Sequence, residues 1–572
     1  MKKLLSYLKD YKKETFTAPL FKLLEAGFEL IVPLIVASVI DDGIAKGDKP
    51  LVFRMSLVLL SLALVGWTCA VIAQYFAAKA AVGATAKIKA DLFGKIMSLS
   101  FSETDTLGNS TMITRMTSDC ALFQNAVNLF LRLFLRAPII VFGAMIMAFT
   151  ISVKAALIFV AVIPLLSLVV FGIMKITVPM YRKVQEKVDG LLGITRENLT
   201  GARVLRAFCR EDEEIKEFRK TNDSLSGMQV FVGKIAGLTN PLTFLLINTA
   251  IIVLIYVGAL QVNYGNLTQG EVIALYNYMS QILVELIKLA SLIVTVTKGY
   301  ASAKRITAVL EMPSEKVPEN AGDTEVKEGR VEFRNVGLTY KNAGAESLSN
   351  ISFSAEPGEI IGIIGGTGSG KSSVINLIPG FYSATAGSVL IDGREISGYD
   401  PGKLRKSIGV VPQYAKLFRG TVRENMLCGN ENATDEEIEQ ALKDAQAYDF
   451  VMAKDGKLDY MIENGGKNLS GGQKQRLTVA RALVRRPKIL ILDDSTSALD
   501  YKTDSLLREA VSRLDYKPTV FIVSQRASSV LNSDRTVVLE DGECVGYGTP
   551  DELLENCEVY REIYRCQFPD AI

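Results

Sequence analysis

Gly365-Gly366-Thr367-Gly368-Ser369-Gly370-Lys371-Ser372 reads GxxxxGKS and follows the apolar, strand-like run Ile360-Ile361-Gly362-Ile363-Ile364. Glycines let successive backbone N–H groups turn inward around phosphate oxygens. The helix-compatible run that follows, Ser373-Val374-Ile375-Asn376-Leu377, presents its N-terminus to the same anion. In this pattern Lys371 reaches the β- and γ-phosphates of a nucleoside triphosphate and Ser372 ligates its Mg²⁺. A chance glycine turn would have neither the strand before it nor the Lys-Ser pair after it. A second apolar run, Ile489-Leu490-Ile491-Leu492, ends on Asp493, which suits a carboxylate that holds Mg²⁺ directly or through water. Alone, a strand-ending aspartate says little. With the phosphate loop it completes a site for hydrolysing a nucleoside triphosphate.

These residues need an α/β scaffold, and the periodicity supplies one. After Lys304-Arg305-Ile306 and the segment Met312-Pro313-Ser314-Glu315, short β-rich runs such as Val331-Glu332-Phe333 alternate with turn residues. Residues 326–572 are expected to form the nucleotide-binding domain, with 311–325 a linker and 1–310 a different kind of domain. The chain has 572 residues, of which 49% are hydrophobic, and a mean hydropathy of +0.23. That balance fits a chain part embedded and part soluble. Basic and acidic residues nearly cancel, 64 against 62, so nothing calls for a nucleic-acid partner. The seven cysteines include no CxxC pair, which argues for reduced thiols rather than disulfides or zinc.

Crossing a bilayer takes about 20 apolar residues. Six stretches qualify, at about 16–40, 51–80, 128–152, 155–178, 236–262 and 270–297. The connections alternate: short after the first, third and fifth, long and charged after the second (about 81–127) and fourth (about 179–235). The start, MKKLLSYLKDYKK, has no signal-peptide cleavage site. Leu4, Leu5, Leu8 and Tyr11 share one helical face opposite Lys2, Lys9, Lys12 and Lys13, a pattern suited to a helix lying on an anionic membrane surface. The positive-inside rule keeps this end in the cytoplasm. Six crossings then put both termini, both long loops and the nucleotide-binding domain on the cytoplasmic side of a multi-pass plasma-membrane protein. Lys22, Glu25, Glu29, Arg132, Arg136, Lys234, Glu285 and Lys288 fall in or near the spans. Such charges face protein or water rather than lipid, lining a polar path, lying close enough to the helix ends to snorkel, or pairing between helices. Pro33, Pro138, Pro164 and Pro241 are expected to interrupt helical hydrogen bonding locally.

Between the phosphate loop and the aspartate strand lies Leu469-Ser470-Gly471-Gly472-Gln473, ahead of Lys474-Gln475-Arg476. LSGGQ in that place resembles the signature of the ATP-binding-cassette family. Six spans followed by one cassette resemble, over the whole chain, an ABC exporter half-transporter of the multidrug and lipid-exporter type, with its type IV fold. The resemblance implies an all-α six-helix transmembrane domain followed by an α/β P-loop cassette, with ATP and Mg²⁺ as cofactors. By the same resemblance, Tyr340 stacks on adenine, Gly365 to Ser373 enclose the phosphates, and Gln413, in Val410-Val411-Pro412-Gln413, joins Ser372 and Asp493 at Mg²⁺. Ser497-Ala498-Leu499-Asp500 resembles the segment that crosses the cassette dimer interface, and Glu197 to Phe208 the cytoplasmic loop that docks on the partner's cassette.

Two positions depart from the family pattern. Asp494 stands where a glutamate polarises the attacking water, and Gln525, in Ser524-Gln525-Arg526, stands where a histidine holds the γ-phosphate; the chain contains no histidine at all. Aspartate is one methylene shorter, and glutamine neither titrates nor carries charge. In the family, ATP lies between the phosphate loop of one cassette and the signature of another, so one cassette per chain requires two chains. Degenerate catalytic positions beside an intact signature resemble the slow-site subunit of a heterodimeric bacterial exporter. Its partner would carry the catalytic glutamate and histidine and use Leu469–Gln473 in trans. The substrate would be a small amphipathic molecule: a drug, lipid or peptide. The alternatives are a homodimeric exporter with slow ATPase and a nucleotide-gated channel or regulator on the same scaffold.

Overall fold

The computed structural model describes residues 2–315, 317–318, 325–341, 343–495 and 499–568. Ser497 and Ala498 of the interface-crossing segment, and part of the 311–325 linker, lie outside them. The chain forms two compact units, Met1–Met97 with Ser110–Met312, and Ser98–Asn109 with Pro313–Ile572. Ser98–Asn109, which the hydropathy places within the first long loop, thus belongs with the second unit.

Among the described residues, six helical stretches are long and apolar enough to cross a membrane: Lys3–Ile44, Lys49–Met97, Asn109–Ile151, Val153–Thr200, Glu211–Asn263 and Gln269–Leu310. The principal helices of residues 1–310 are α1 (Lys12–Ser38), α2 (Lys49–Met97), the short α3 (Phe101–Leu107), α4 (Cys120–Leu133), α5 (Arg136–Ile151), α6 (Val153–Thr200), the short α7 (Ala202–Ala207), α8 (Glu211–Gly237), α9 (Thr239–Asn263) and α10 (Gln269–Leu310), of which α3 and α7 lie between the long stretches. The helices outrun any bilayer. At about 1.5 Å per residue, the 49 residues of α2 exceed twice the ~30 Å hydrocarbon core. Much of the two long charged "loops" is therefore helix: α2 continues to Met97, α6 to Thr200, and α8 restarts at Glu211. Hydropathy falls near Lys79, but the alanine-rich sequence that follows keeps its helical propensity. Glu211, Asp212, Glu213 and Glu214 fill the first turn of α8, where acidic side chains complement the helix dipole.

The four singled-out prolines divide by position. Pro138 and Pro241 fall in the first turns of α5 and α9, where the missing N–H is one that the helix leaves unpaired anyway. Pro33 and Pro164 sit inside continuous helices. Close helix contact comes from small residues. Ala73, Ala77, Ala80 and Ala84 are fully buried at helical spacing along α2, and Ala18 of α1, Ala77 and Ala80 of α2 and Leu131 of α4 share one cluster. At the start of the chain Leu4 is buried, and Asp10 pairs with Lys87 of α2 at 2.7 Å, so part of this segment's surface packs on protein.

The intramembrane charges form a network. Arg136 of α5 is buried and donates to Glu285 of α10 at 2.6 Å and to Glu29 of α1 at 2.7 Å. Lys288 donates to Glu285 at 2.9 Å and Lys22 to Glu25 at 2.5 Å. Mutual pairing is what makes buried ions tolerable in an apolar setting. Arg132 is half-buried and Lys234 is exposed, and neither joins a described ion pair.

In the second unit, β1 (Val331–Leu338), β2 (Leu348–Ala355), β4 (Ala386–Ile391) and β5 (Arg394–Glu395) form an antiparallel sheet in the order β2-β1-β4-β5. The larger sheet runs β12-β11-β3-β10-β9-β6, from β3 (Ile360–Gly365), β6 (Ile408–Val411), β9 (Ile489–Asp493), β10 (Thr519–Val523), β11 (Arg535–Glu540) and β12 (Glu543–Gly548). All its pairings are parallel except β11 with β12. β7 (Gly420–Thr421) and β8 (Met461–Ile462) make a separate small ladder. Strands β3, β9 and β10 are buried almost throughout, as expected of parallel strands covered on both faces. This explains why they read as continuous apolar runs. Four helices complete the frame around the site: α11 (Lys371–Leu377), α12 (Gly471–Leu483), α13 (Tyr501–Ser512) and α14 (Glu558–Gln567).

Candidate functional site

Strands β3, β9 and β10 lie side by side with parallel register, so their carboxyl ends present three loops to one crevice. Open α/β sheets bind ligands in such a place. The crevice is a cleft of about 580 Å³ whose walls include Thr367, Gly368, Gly370, Lys371, Ser372, Ser373, Gln413, Asp493, Asp494 and Gln525. The fold thus gathers the phosphate-loop residues, the aspartate pair and both glutamines from segments far apart in sequence.

Two loop glycines are required by geometry. At Gly365 a Cβ would stand 2.1 Å from the Leu539 carbonyl oxygen, which fixes the close approach of the loop to β11. Gly370 has φ +92°, a left-handed conformation that disfavours side chains, and it turns the chain into α11. Lys371 is buried, with Nζ donating to the carbonyls of Gly365 at 2.9 Å and Gly366 at 2.5 Å. Burial pushes its pKa down, with Asp494 and Asp493 opposing that shift. The ammonium is therefore held ready inside the loop that a phosphate would occupy.

Ser372 Oγ lies 3.2 Å from Asp493 Oδ1. Burial raises the Asp493 carboxyl above its ordinary value, and the Ser372 hydrogen bond opposes this. A hydroxyl, a carboxylate and the nearby Gln413 amide are hard oxygen donors. Together with phosphates and water they fit Mg²⁺, which takes few protein ligands. Asp494 follows Asp493 with φ +41° and donates its N–H to the Val523 carbonyl at 3.0 Å. Its Oδ2 accepts from Gln413 Nε2 at 3.4 Å, a long contact. From across the cleft comes Gln525, whose carbonyl accepts from Gln567 Nε2 at 2.9 Å, while Gln567 Oε1 accepts from the Ala527 N–H at 2.7 Å.

Other residues singled out from the sequence stand apart from this cleft. Tyr340 lines a neighbouring cavity with Tyr382; its hydroxyl reaches Ser373 Oγ at 2.9 Å and its ring meets Tyr382 edge-on at 4.9 Å. Ser470 caps α12: the Gln473 N–H donates to Ser470 Oγ at 3.3 Å, and Gln473 Oε1 accepts from the Ser470 N–H at 3.1 Å. Ser470 and Gly471 are exposed, Gly472 and Gln473 half-buried, and Leu469 buried as an anchor. Asp500 caps α13, accepting from the Thr503 hydroxyl at 2.7 Å and its N–H at 3.1 Å; those bonds lower its pKa. None of Leu469–Gln473 or Asp500 lines the cleft of its own chain. In the helical unit, Leu199, Val204 and Phe208 leave apolar side chains exposed around α7.

Some residues at the site escaped the sequence reading. Ser347, Asp541 and Gly542 line the cleft. An Asp-Gly between β-rich runs is a hairpin signal and could have located the last two. Gln567 left no signal, since it lies on the final helix. Nor did the docking of α3: Phe101 packs on Phe381 at 4.3 Å, Glu103 pairs with Lys341 at 2.7 Å, and the Tyr382 hydroxyl hydrogen-bonds Asp105.

A membrane-crossing helical unit fused to a phosphate-loop α/β unit defines a membrane-bound ATPase. Residues 15–286 match the family described as the ABC transporter transmembrane region, and residues 348–497 match ABC transporter. The chain belongs to the ABC transporter family. It is 36% identical over 568 residues to the uncharacterized ABC transporter ATP-binding protein YfiB of Bacillus subtilis (strain 168), covering 99% of each chain. It is 34% identical over 473 residues to the ATP-dependent lipid A-core flippase of Desulfotalea psychrophila (strain LSv54 / DSM 12343), covering 82% of each. The structure of a bacterial Atm1-family ABC exporter with ATP bound shares the fold, with TM-score 0.82, 22% identity, and coverage of 98% of this chain and 99% of that one. An ATPase cassette on an exporter-type membrane domain is therefore the architecture of this protein.

Proposed function

We propose that the chain is one half of a two-chain exporter that uses ATP to move small amphipathic molecules out across the plasma membrane, with its cassette and both termini in the cytoplasm. It binds ATP and Mg²⁺ through Lys371, Ser372, Gln413 and Asp493, with Tyr340 near the base. It hydrolyses that ATP slowly, because Asp494 and Gln525 occupy the positions that position and activate water. The observation that carries this reading is the wall of the cleft itself: Asp494, bonded at 3.4 Å to Gln413, and Gln525 line it together. Neither brings the longer carboxylate or the imidazole of a fast site.

Two further features support a partner. The exposed Ser470-Gly471 turn heads a well-capped α12 away from the chain's own cleft, so it is free to complete a second cassette's site. The exposed apolar side chains around α7 suit docking on another cassette. A relative's role as a lipid A-core flippase and another's description as a putative multidrug export protein of Bacillus subtilis (strain 168) are in keeping with amphipathic cargo.

The test is extraction of the tagged chain from its native membranes in mild detergent and mass identification of what copurifies. A second half-transporter carrying the glutamate and histidine is the expected result. Recovery of this chain paired only with itself would overturn the asymmetric pair and leave a slow homodimer or a nucleotide-gated channel, which ATP turnover and bilayer conductance would separate.

A further inference from the structure

Four polar residues of α10 in the helical unit share one face. Asn277, Gln281, Glu285 and Lys288 recur at helical spacing and, with Glu29 and Arg136, line a cleft of about 480 Å³. The two carboxylates and two cations on this wall balance formally. Their hydrogen bonding does not. Glu285 is 3% exposed, and its Oε1 accepts from both Arg136 at 2.6 Å and Lys288 at 2.9 Å, while its Oε2 is buried with no hydrogen-bond partner. The side-chain oxygen of Gln281, one turn away, is likewise buried and unpartnered. Both Nη atoms of Arg136 are committed to carboxylates, and its Nε, 3.9 Å from Glu25, is itself buried without a hydrogen-bond partner. Glu285 Oε2 and Gln281 Oε1 thus have no donor placed to reach them. A buried acceptor without one is costly in an apolar setting.

The more exposed cation of this wall is Lys288. Its side chain is 42% exposed against 4% for Glu285, and its flexible stem ends in a compact ammonium. We propose that this cleft binds the protonated primary amine of an amphipathic substrate, whose ammonium displaces Lys288 from Glu285. The exchange conserves charge: one ammonium leaves for water and another arrives. The incoming group carries three N–H donors. It takes over the bond to Oε1 and supplies the donors missing at the buried side-chain oxygens Glu285 Oε2 and Gln281 Oε1. The apolar tail lies against Val32, Ile140 and Val284 of the same cleft. This deepens the export reading above and rests on it by naming the cargo as an amine-bearing amphiphile.

The experiment is equilibrium binding of radiolabelled dodecylamine to the full-length protein in phosphatidylcholine nanodiscs, with empty nanodiscs subtracted. Saturable binding is expected. It should be displaced poorly by dodecyltrimethylammonium, which has the charge without the donors, and not by dodecanol. Glu285→Gln should weaken it about tenfold to hundredfold, the range for a lost charged hydrogen bond. Lys288→Ala should tighten it several-fold by removing the competing ammonium, an outcome that misfolding cannot produce. Gln281→Leu, which leaves every ion pair in place, should weaken it by a smaller factor. Fluorescent-nucleotide binding at the cassette serves as the check that each variant is folded. Unchanged affinity in Glu285→Gln, or weaker binding in Lys288→Ala, overturns the proposal. Transport assays in inside-out vesicles separate the two readings. ATP-driven uptake of anionic or neutral amphiphiles without dodecylamine binding would sink the amine site and leave the exporter standing. Specific dodecylamine binding without ATP-driven uptake of any amphiphile would leave the site and sink export.

Discussion

Replacing Asp494 by glutamate, together with Gln525→His, should speed hydrolysis at this chain's own cleft. The aspartate carboxylate is long-bonded to Gln413, at 3.4 Å, on a backbone held at φ +41° and tied to Val523. A glutamate extends the carboxylate by one methylene, and a misplacement of about 1 Å is worth about 10² in rate. At about 1.4 kcal/mol per tenfold, that is close to 3 kcal/mol of barrier, and general-base catalysis spans about 10²–10⁴ overall. The expected gain is therefore about a hundredfold for the glutamate, with a smaller additional factor from the imidazole. Left-handed φ favours aspartate over longer side chains, so the variant should also lose about 1 kcal/mol of cassette stability. Single-turnover ATP hydrolysis, with the catalytic glutamate removed from the partner proposed above, isolates the cleft. Nucleotide affinity measured in parallel shows that binding has not changed. A double variant that binds ATP normally and still fails to turn over would refute the idea that local geometry makes this site slow.

The raised pKa of Asp493 gives a second expectation. Burial favours its protonated form, so the nucleotide-free cassette should lose stability as pH rises from the ordinary aspartate value, about 3.9, through the raised one. Asp493→Asn should remove that slope in melting temperature and abolish further stabilisation by Mg²⁺-ATP. Lys371→Met removes a buried ammonium whose charge is disfavoured by burial; it should leave the empty cassette as stable or more so while weakening ATP binding more than tenfold, read by fluorescent nucleotide titration. Gln567→Ala deletes the two hydrogen bonds that hold Gln525 and Ala527. At about 0.5–1.5 kcal/mol each, hydrogen exchange should quicken around Arg526 to Val530. Arg136→Met leaves Glu29 without its arginine and Glu285 with Lys288 alone, so the loss should fall below that of a fully uncompensated buried charge, about 3–5 kcal/mol. Denaturation of the helical unit in detergent should register that loss, and Glu285→Leu added to it should restore part.

What the sequence makes legible here follows from how local each feature is. The phosphate loop and the aspartate strand are contiguous runs, and the buried parallel strands β3 and β9 read as apolar because both faces are covered. The six spans are legible for the same reason. Helix ends are not: hydropathy marks where lipid stops, while α2 runs on through charged, alanine-rich sequence and α6 runs on past Pro179 to Thr200. Least legible are contacts between distant segments. Arg136 meets Glu285 across 149 residues, and Gln567 reaches Gln525 across 42, with no spacing rule to announce either pair.

The excursion of Ser98–Asn109 into the second unit bears on how the cassette can be studied in isolation. A fragment beginning at residue 326 carries every nucleotide-site residue but leaves out α3. Phe381 and Tyr382 would then lose the ring and carboxylate that cover them, and Arg405 would lose both the Phe101 face and Glu315. Such a fragment exposes a fresh aromatic patch to water and should self-associate. A synthetic peptide spanning Ser98–Asn109, added in trans, should restore its solubility.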